Sequence, residues 1–168
     1  MPTLVLLRHA KSAWPPGVPD DQRPLNVRGR RDAVAAGLVL AARESIDLAL
    51  VSPAQRARET YALLAPTLGD APAPTYDERI YEADPADLLD VLGEVPAGIR
   101  RVLMVGHNPG IEMLALRLSQ PQETPDFLQM VTKYPTSGIA EIELTGDWSQ
   151  ISTSAGQGEL VSFAVPRG

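Results

Sequence analysis

Residues 101–110 read RVLMVGHNPG: an unbroken apolar run from Val102 to Val105, a glycine, a histidine, and then Asn-Pro. Four consecutive apolar residues without alternation are what a strand buried on both faces requires, which places it in the middle of a parallel sheet. Asn108 and Pro109 supply an N-cap and a first helical position, predicting a helix that runs to about Ser119. Strand, turn and helix in direct succession is the unit from which α/β folds are assembled.

The same unit recurs upstream. Short β-rich runs at Thr3–Leu7 and Asp47–Ser52 are each followed by a long segment rich in Ala, Leu and Arg. Over Val27 to Ser45, Ala33, Ala36, Leu40 and Ala41 recur near helical spacing, while Arg28, Arg30, Arg31 and Asp32 crowd the first turns; this reads as an amphipathic helix. After the second strand, Ser52 can cap a helix opening at Pro53, with Gln55 completing a capping box, and that helix is expected to reach about Leu68. Two late runs, Gly138–Leu144 and Glu159–Val165, read as strands separated by the turn-rich stretch Thr145 to Gly158. The Pro-rich stretches Trp14–Pro24 and Ala71–Thr75 are too short to be domain linkers. The expectation is one domain over residues 1–168, a three-layer α/β/α sandwich around a mostly parallel central sheet.

Composition narrows the partners. The 168 residues are 44% hydrophobic, enough for an ordinary packed core. Fifteen Lys and Arg against 21 Asp and Glu give a net charge of −6, which disfavours a general affinity for nucleic acid or an anionic membrane, so any anion site is local. The absence of cysteine excludes disulfides, thiolate metal sites and a cysteine nucleophile. The apolar run before Arg8 is brief and has no basic region ahead of it, and the stretch Ala33 to Ala42 falls short of the roughly 18 residues of a membrane span. A soluble cytoplasmic protein, monomeric by default, is expected.

Chemistry concentrates at the strand ends. The chain has two histidines, and each directly follows a buried-looking strand: His9 after LVLLR and His107 after VLMVG. In open α/β sheets ligands sit beyond the carboxyl ends of the strands, so both imidazoles would face the site. Arg56 lies near the start of the helix after the second strand, where backbone N–H groups and the helix dipole already favour an anion. Arg8 and Arg56 offer planar guanidinium forks that suit a phosphoryl group better than lysine would.

Here the residues carry a family resemblance. LLRHAKSAW resembles the Arg-His signature of the histidine phosphatase superfamily, also called phosphoglycerate mutase-like; SPAQRARET resembles its Ser-Pro-x-x-Arg-x-x-x-Thr segment, and VGHNPG its second-histidine motif. RPLNVRGRRDA and KYPTSGIAEIEL are similar to the short branch typified by the phosphohistidine phosphatase SixA, so the resemblance spans about Thr3 to Val165. It implies a phosphatase in which His9 is the nucleophile, forming a phosphohistidine, with Arg8, Arg56 and His107 clamping the transferred oxygens. Two permanent guanidinium charges can stabilise the transferring group without a metal, so no metal and no cofactor are expected. His9 must be neutral at the attacking nitrogen and should donate from the other to a fixed acceptor, a backbone carbonyl being the expected one.

For the proton donor to the leaving group, TYDERIYEADP offers Asp77, Glu78, Glu82 and Asp84; Glu78 in DERIYE resembles the acid-bearing segment of the phosphoglycerate mutase branch and is preferred, with Glu82 open as an alternative or as a mere loop carboxylate. Imidazole, with a pKa of about 6.5, leaves more readily than an alcohol and needs less protonation. The substrate is expected to be a phosphorylated protein, with a phosphohistidine side chain entering an open crevice, or a small phosphorylated metabolite. A broad phosphomonoesterase, a mutase and a noncatalytic phosphoprotein-binding module are the competing readings. Plainer roles are expected elsewhere: Arg58 on a solvated helix face, Arg28, Arg30 and Arg31 on another with Asp32 and Glu44, Trp14 packing its loop against the body, and Lys11 and Ser12 at the site rim. Asn108–Gly110 can start a helix or also bind phosphate through its amides.

Overall fold

The structure is a computed structural model that describes residues 1–152 and 154–168. Six strands form one sheet in the order β3-β2-β4-β1-β5-β6: β1 (Thr3–Arg8), β2 (Leu48–Val51), β3 (Pro74–Tyr76), β4 (Arg101–Gly106), β5 (Ile139–Leu144) and β6 (Gly158–Ala164). The first four in that order run parallel, β5 is antiparallel to β1, and β6 is antiparallel to β5. Five α-helices cover the sheet: α1 (Val27–Ala41), α2 (Gln55–Leu64), α3 (Pro85–Gly93), α4 (Gly110–Leu118) and α5 (Pro125–Thr132).

The strand period sorts the core into two layers. Val5 and Leu7 of β1 with Leu103 and Val105 of β4 face Ala36 and Leu40 of α1 and Ala57 and Leu64 of α2. Their neighbours Leu4, Leu6, Val102 and Met104 face the other way, against Leu88 and Leu92 of α3, Leu114 and Leu118 of α4 and Met130 of α5. A strand with both faces covered has no place for a polar side chain, which is why VLMV runs without alternation. The expected three-layer sandwich is therefore present, and no helix among the described residues is long and apolar enough to cross a membrane.

Several boundaries differ from the sequence reading. α1 stops at Ala41 rather than Ser45. α2 starts at Gln55 without a side-chain cap: Ser52 Oγ accepts from the Ala54 amide at 3.2 Å, and the Gln55 side chain turns to Glu59 instead of closing a capping box. Past Leu64 the chain tightens into a 3-10 turn, Ala65–Leu68, because Pro66 has no N–H to continue the α-helical ladder. α4 begins at Gly110 after a cis Asn108–Pro109 peptide, with Asn108 Oδ1 accepting from the Glu112 amide at 3.3 Å. The Pro-rich stretch at 71–75 runs into β3, a three-residue edge strand where Pro74 is tolerated. Asp32 is not on a solvated face: it is buried and receives Arg28 Nε at 3.2 Å and the Gly168 amide at 3.0 Å, with Arg167 at 3.4 Å.

At the outer margin of the sheet, Asp126 Oδ2 of α5 accepts from the Phe163 amide of β6 at 3.0 Å, and Gln122 Nε2 donates to the Leu160 carbonyl at 3.4 Å. In α1, Gly29 lies so close to the loop after β1 that a Cβ there would sit 2.0 Å from the Lys11 carbonyl oxygen. Alanine is the better helix former by about 1 kcal/mol. Gly29→Ala should nevertheless destabilise the protein by about 2 kcal/mol, because backbone must move to admit the methyl group. Thermal or urea unfolding checks this; a raised midpoint would refute the close approach.

Candidate active site

β1 and β4 are neighbours with Arg8 opposite Gly106, so the residues that follow them, His9 and His107, emerge side by side with ring centroids 5.0 Å apart. The helix after β1 covers one face of the sheet and the helix after β4 the other, which opens a crevice between these two strand ends. β2, on the far side of β4, ends beside them and delivers Ser52 and, in the first turn of α2, Arg56. The structure thus gathers four of the residues singled out by sequence, with Arg8 at the end of β1.

His9 is buried, with Nδ1 2.7 Å from the Ala10 carbonyl oxygen. A carbonyl only accepts, so Nδ1 carries the proton and Nε2 the lone pair, the arrangement a nucleophilic imidazole needs. Arg56 Nε donates to that Nε2 at 3.3 Å. Burial first, and then His107, hold the His9 pKa well below its ordinary value. His107 is pushed down to about 3 by burial and then by Arg56, and its Nε2 lies 2.7 Å from Ser52 Oγ.

Both imidazoles are therefore neutral in the folded protein near neutral pH. Native stability from this is fully present above the ordinary imidazole pKa of about 6.5, and drains away as pH falls toward the folded value, because the unfolded chain takes up protons that the native site refuses. Urea midpoints are expected to fall steadily between about pH 7 and pH 4, and to fall less in His107→Gln. An equal fall in that variant would remove His107 as the cause.

All three nitrogens of the Arg56 guanidinium are engaged. Besides His9, its Nη1 donates to the Asp20 carbonyl at 2.6 Å and its Nη2 to Asp20 Oδ2 at 3.0 Å. Asp20 also accepts from Arg23 Nε at 3.0 Å and from the Tyr81 hydroxyl. The Tyr81 bond first, and the Arg56 and Arg23 bonds after it, hold the Asp20 carboxyl well below the usual carboxylate range. Tyr81 is pushed up to about 12 by burial and by Asp20. Sequence reasoning passed over Asp20, Arg23 and Tyr81. The one signal for them was composition: a Pro-rich loop carrying Asp20 and Asp21 beside strand ends that need a counter-charge.

The KYPTSG segment holds the Arg8-His9 dipeptide from behind. Ser137, at a left-handed φ of 63°, directs its amide to the carbonyls of both Arg8 and His9, at 3.0 and 3.2 Å. The Tyr134 carbonyl accepts from Arg8 Nη1 at 3.0 Å and Asn108 Nδ2 at 2.9 Å. Buried Ser12 accepts from Arg23 Nη1 at 2.7 Å, so it braces the loop, while Lys11 is exposed. Trp14 does not pack against the body: it is 74% exposed, with the Arg23 guanidinium 3.5 Å above its ring. Arg58, on the exposed side of α2, lies over the Tyr76 ring.

A cavity of about 450 Å³ adjoins His107 and is also lined by Asp20, Arg56, Tyr81, Glu82, Asp84, Pro109 and Met113. Glu78 is not among its lining residues. Asp77 accepts from the Arg79 amide and starts a 3-10 turn that leaves Glu78 exposed, whereas Glu82, at a left-handed φ of 53°, borders the cavity.

The profile of the histidine phosphatase superfamily (branch 1) matches residues 4–91. An uncharacterized protein of Mycobacterium tuberculosis is 40% identical over 164 residues, covering 96% of this chain and all of the relative, and one from Mycobacterium leprae is 38% identical over 168 residues. Among solved structures, the protein assigned as phosphohistidine phosphatase SixA of Nakamurella multipartitia superposes with a TM-score of 0.85 at 28% identity, covering 98% of this chain and 96% of that one. Its counterpart from Agrobacterium tumefaciens gives 0.79 at 27% identity and 99% of both chains. A SixA solved with tungstate gives 0.76 at 24% identity and 98% and 97% of the chains, a likeness of fold. The architecture is the phosphoglycerate mutase-like α/β fold of these neighbours.

Proposed function

The chain belongs to the histidine phosphatase superfamily, and from that premise we propose that it is a metal-independent phosphatase working through a phosphohistidine on His9, with phosphohistidine as its substrate. The observation that carries this reading is the His9 ring: Nδ1 bound to the Ala10 carbonyl, the Nε2 lone pair facing the Arg56 Nε–H, and a pKa held down so that Nε2 is unprotonated at neutral pH. Nε2 attacks phosphorus, the N–P bond forms as the bond to the leaving group breaks, and water then releases phosphate from His9. Arg8, Arg56 and His107 hold the nonbridging oxygens, which requires Arg56 to exchange its His9 and Asp20 contacts for substrate. Their fixed charge and N–H donors supply the stabilisation that other phosphoryl-transfer sites take from a metal.

The cavity supports a nitrogen leaving group over an acidic metabolite. Asp20, Glu82 and Asp84 border it, and its one arginine is needed for the phosphoryl group, so a second anionic group on the substrate meets like charge. Glu82 takes the place of Glu78 as the carboxylate on the leaving-group side. We read residues 1–168 as one domain acting in the cytoplasm on a phosphoprotein.

The test is a rapid quench into alkali during turnover, where a phosphoramidate survives, followed by mass spectrometry. Phosphate on His9 is expected, with EDTA leaving the rate unchanged. A panel of phosphohistidine peptides, sugar phosphates and nucleotides separates the substrates; faster turnover of the metabolites would replace the phosphohistidine reading with a general phosphomonoesterase.

A further inference from the structure

Ser52 ends the second strand and is wholly buried. A hydroxyl has one proton to give and two lone pairs to accept with. The Ala54 amide, at 3.2 Å, takes one lone pair, and His107 Nε2 stands at 2.7 Å. If the ring donated to Ser52, the hydroxyl proton would be left buried with no acceptor among the bonds of the described residues, a costly arrangement. If Ser52 donates to the ring, the hydroxyl proton, the Ala54 amide and His107 Nε2 are all paired.

The second arrangement has a chemical consequence. A neutral imidazole carries one N–H, so a ring that accepts at Nε2 must be protonated at Nδ1. His107 Nδ1 is buried and has no hydrogen-bond partner among the described residues, as is Arg8 Nε. An unpaired lone pair at Nδ1 would repel an anion, whereas an unpaired N–H is a donor in want of an acceptor. Two of the groups assigned to the phosphoryl oxygens thus each hold a donor unused.

We propose that Ser52 is a positioning residue whose hydroxyl fixes His107 as the Nδ1–H tautomer, and so makes it an uncharged hydrogen-bond donor to the phosphoryl group. The inference rests on the phosphatase reading and deepens it, since Ser52 acts on substrate only through His107.

The chain has two histidines, so the ring-nitrogen NMR spectrum contains two sets of signals. In the wild type at neutral pH, both rings are expected to be protonated at Nδ1 and bare at Nε2, His9 through Ala10 and His107 through Ser52. Ser52→Ala should alter the His107 pattern alone and weaken inorganic phosphate binding about tenfold, the worth of one hydrogen bond at a buried site. Ser52→Thr, which keeps the hydroxyl, should restore both. A wild-type His107 protonated at Nε2 overturns the proposal, as does a Ser52→Ala protein with an unchanged His107 pattern and unchanged phosphate affinity. The wild-type spectrum decides the matter even if a variant fails to fold. Failure of the phosphatase reading appears separately, as absence of turnover and of phospho-His9.

Discussion

His9→Ala is expected to lose turnover by about 10⁴-fold or more while still binding phosphate, because it removes the nitrogen proposed to attack phosphorus and leaves Arg8, Arg56 and His107 in place. The split between the two readouts is what matters. Loss of both activity and binding would describe a collapsed site, and retention of turnover within tenfold would sink covalent catalysis by His9. Inorganic phosphate titrated calorimetrically into the variant, set beside its steady-state rate, gives both numbers. The variant also loses the acceptor of Arg56 Nε, so a modest weakening of phosphate affinity is compatible with the mechanism.

Arg56→Lys carries the second largest expectation. Lysine keeps the charge but not the planar fork, and Arg56 uses three separate nitrogens to reach His9 Nε2, the Asp20 carbonyl and the Asp20 carboxylate. A point charge cannot hold that geometry or present two parallel donors to a phosphoryl oxygen pair. Removing one preorganised donor of this kind costs about 10²-fold to 10³-fold in kcat/KM, and that is the expected fall. Steady-state kinetics on an activated aryl phosphate measures it; a loss below about fivefold would mean that charge alone suffices.

How much of this was legible in the sequence follows from the range of the forces involved. VLMV announced a doubly buried strand because exclusion from water acts on every residue of the run, and His9 and His107 were found because a strand end is a place a pattern can mark. The alternation of strands and helices sufficed for the sandwich. β3 escaped because its three residues include a proline and owe their conformation to pairing with β2, and α3 and α5 escaped because short helices take their stability from packing. Asp20 meets Arg56 across 36 residues of sequence and Tyr81 across 61, and no local signal encodes such meetings. Glu78 was preferred on the look of DERIYE, but the cap made by Asp77 turns it outward and brings Glu82 to the cavity instead. The acceptor for His9, a backbone carbonyl in expectation, is the carbonyl of the very next residue.

The outer contacts of α5 bear on how copies of this chain meet. A strand margin with free amides and carbonyls is a template on which another polypeptide can zip. Asp126 and Gln122 occupy an amide and a carbonyl of β6, and at the opposite margin β3 is three residues long and begins with a proline. Neither side gives an incoming strand a continuous run to pair with. Growth by adding strands is obstructed from both directions, which protects the protein from templated polymerisation and leaves recognition of other molecules to its helical faces and to the crevice where the two histidines lie.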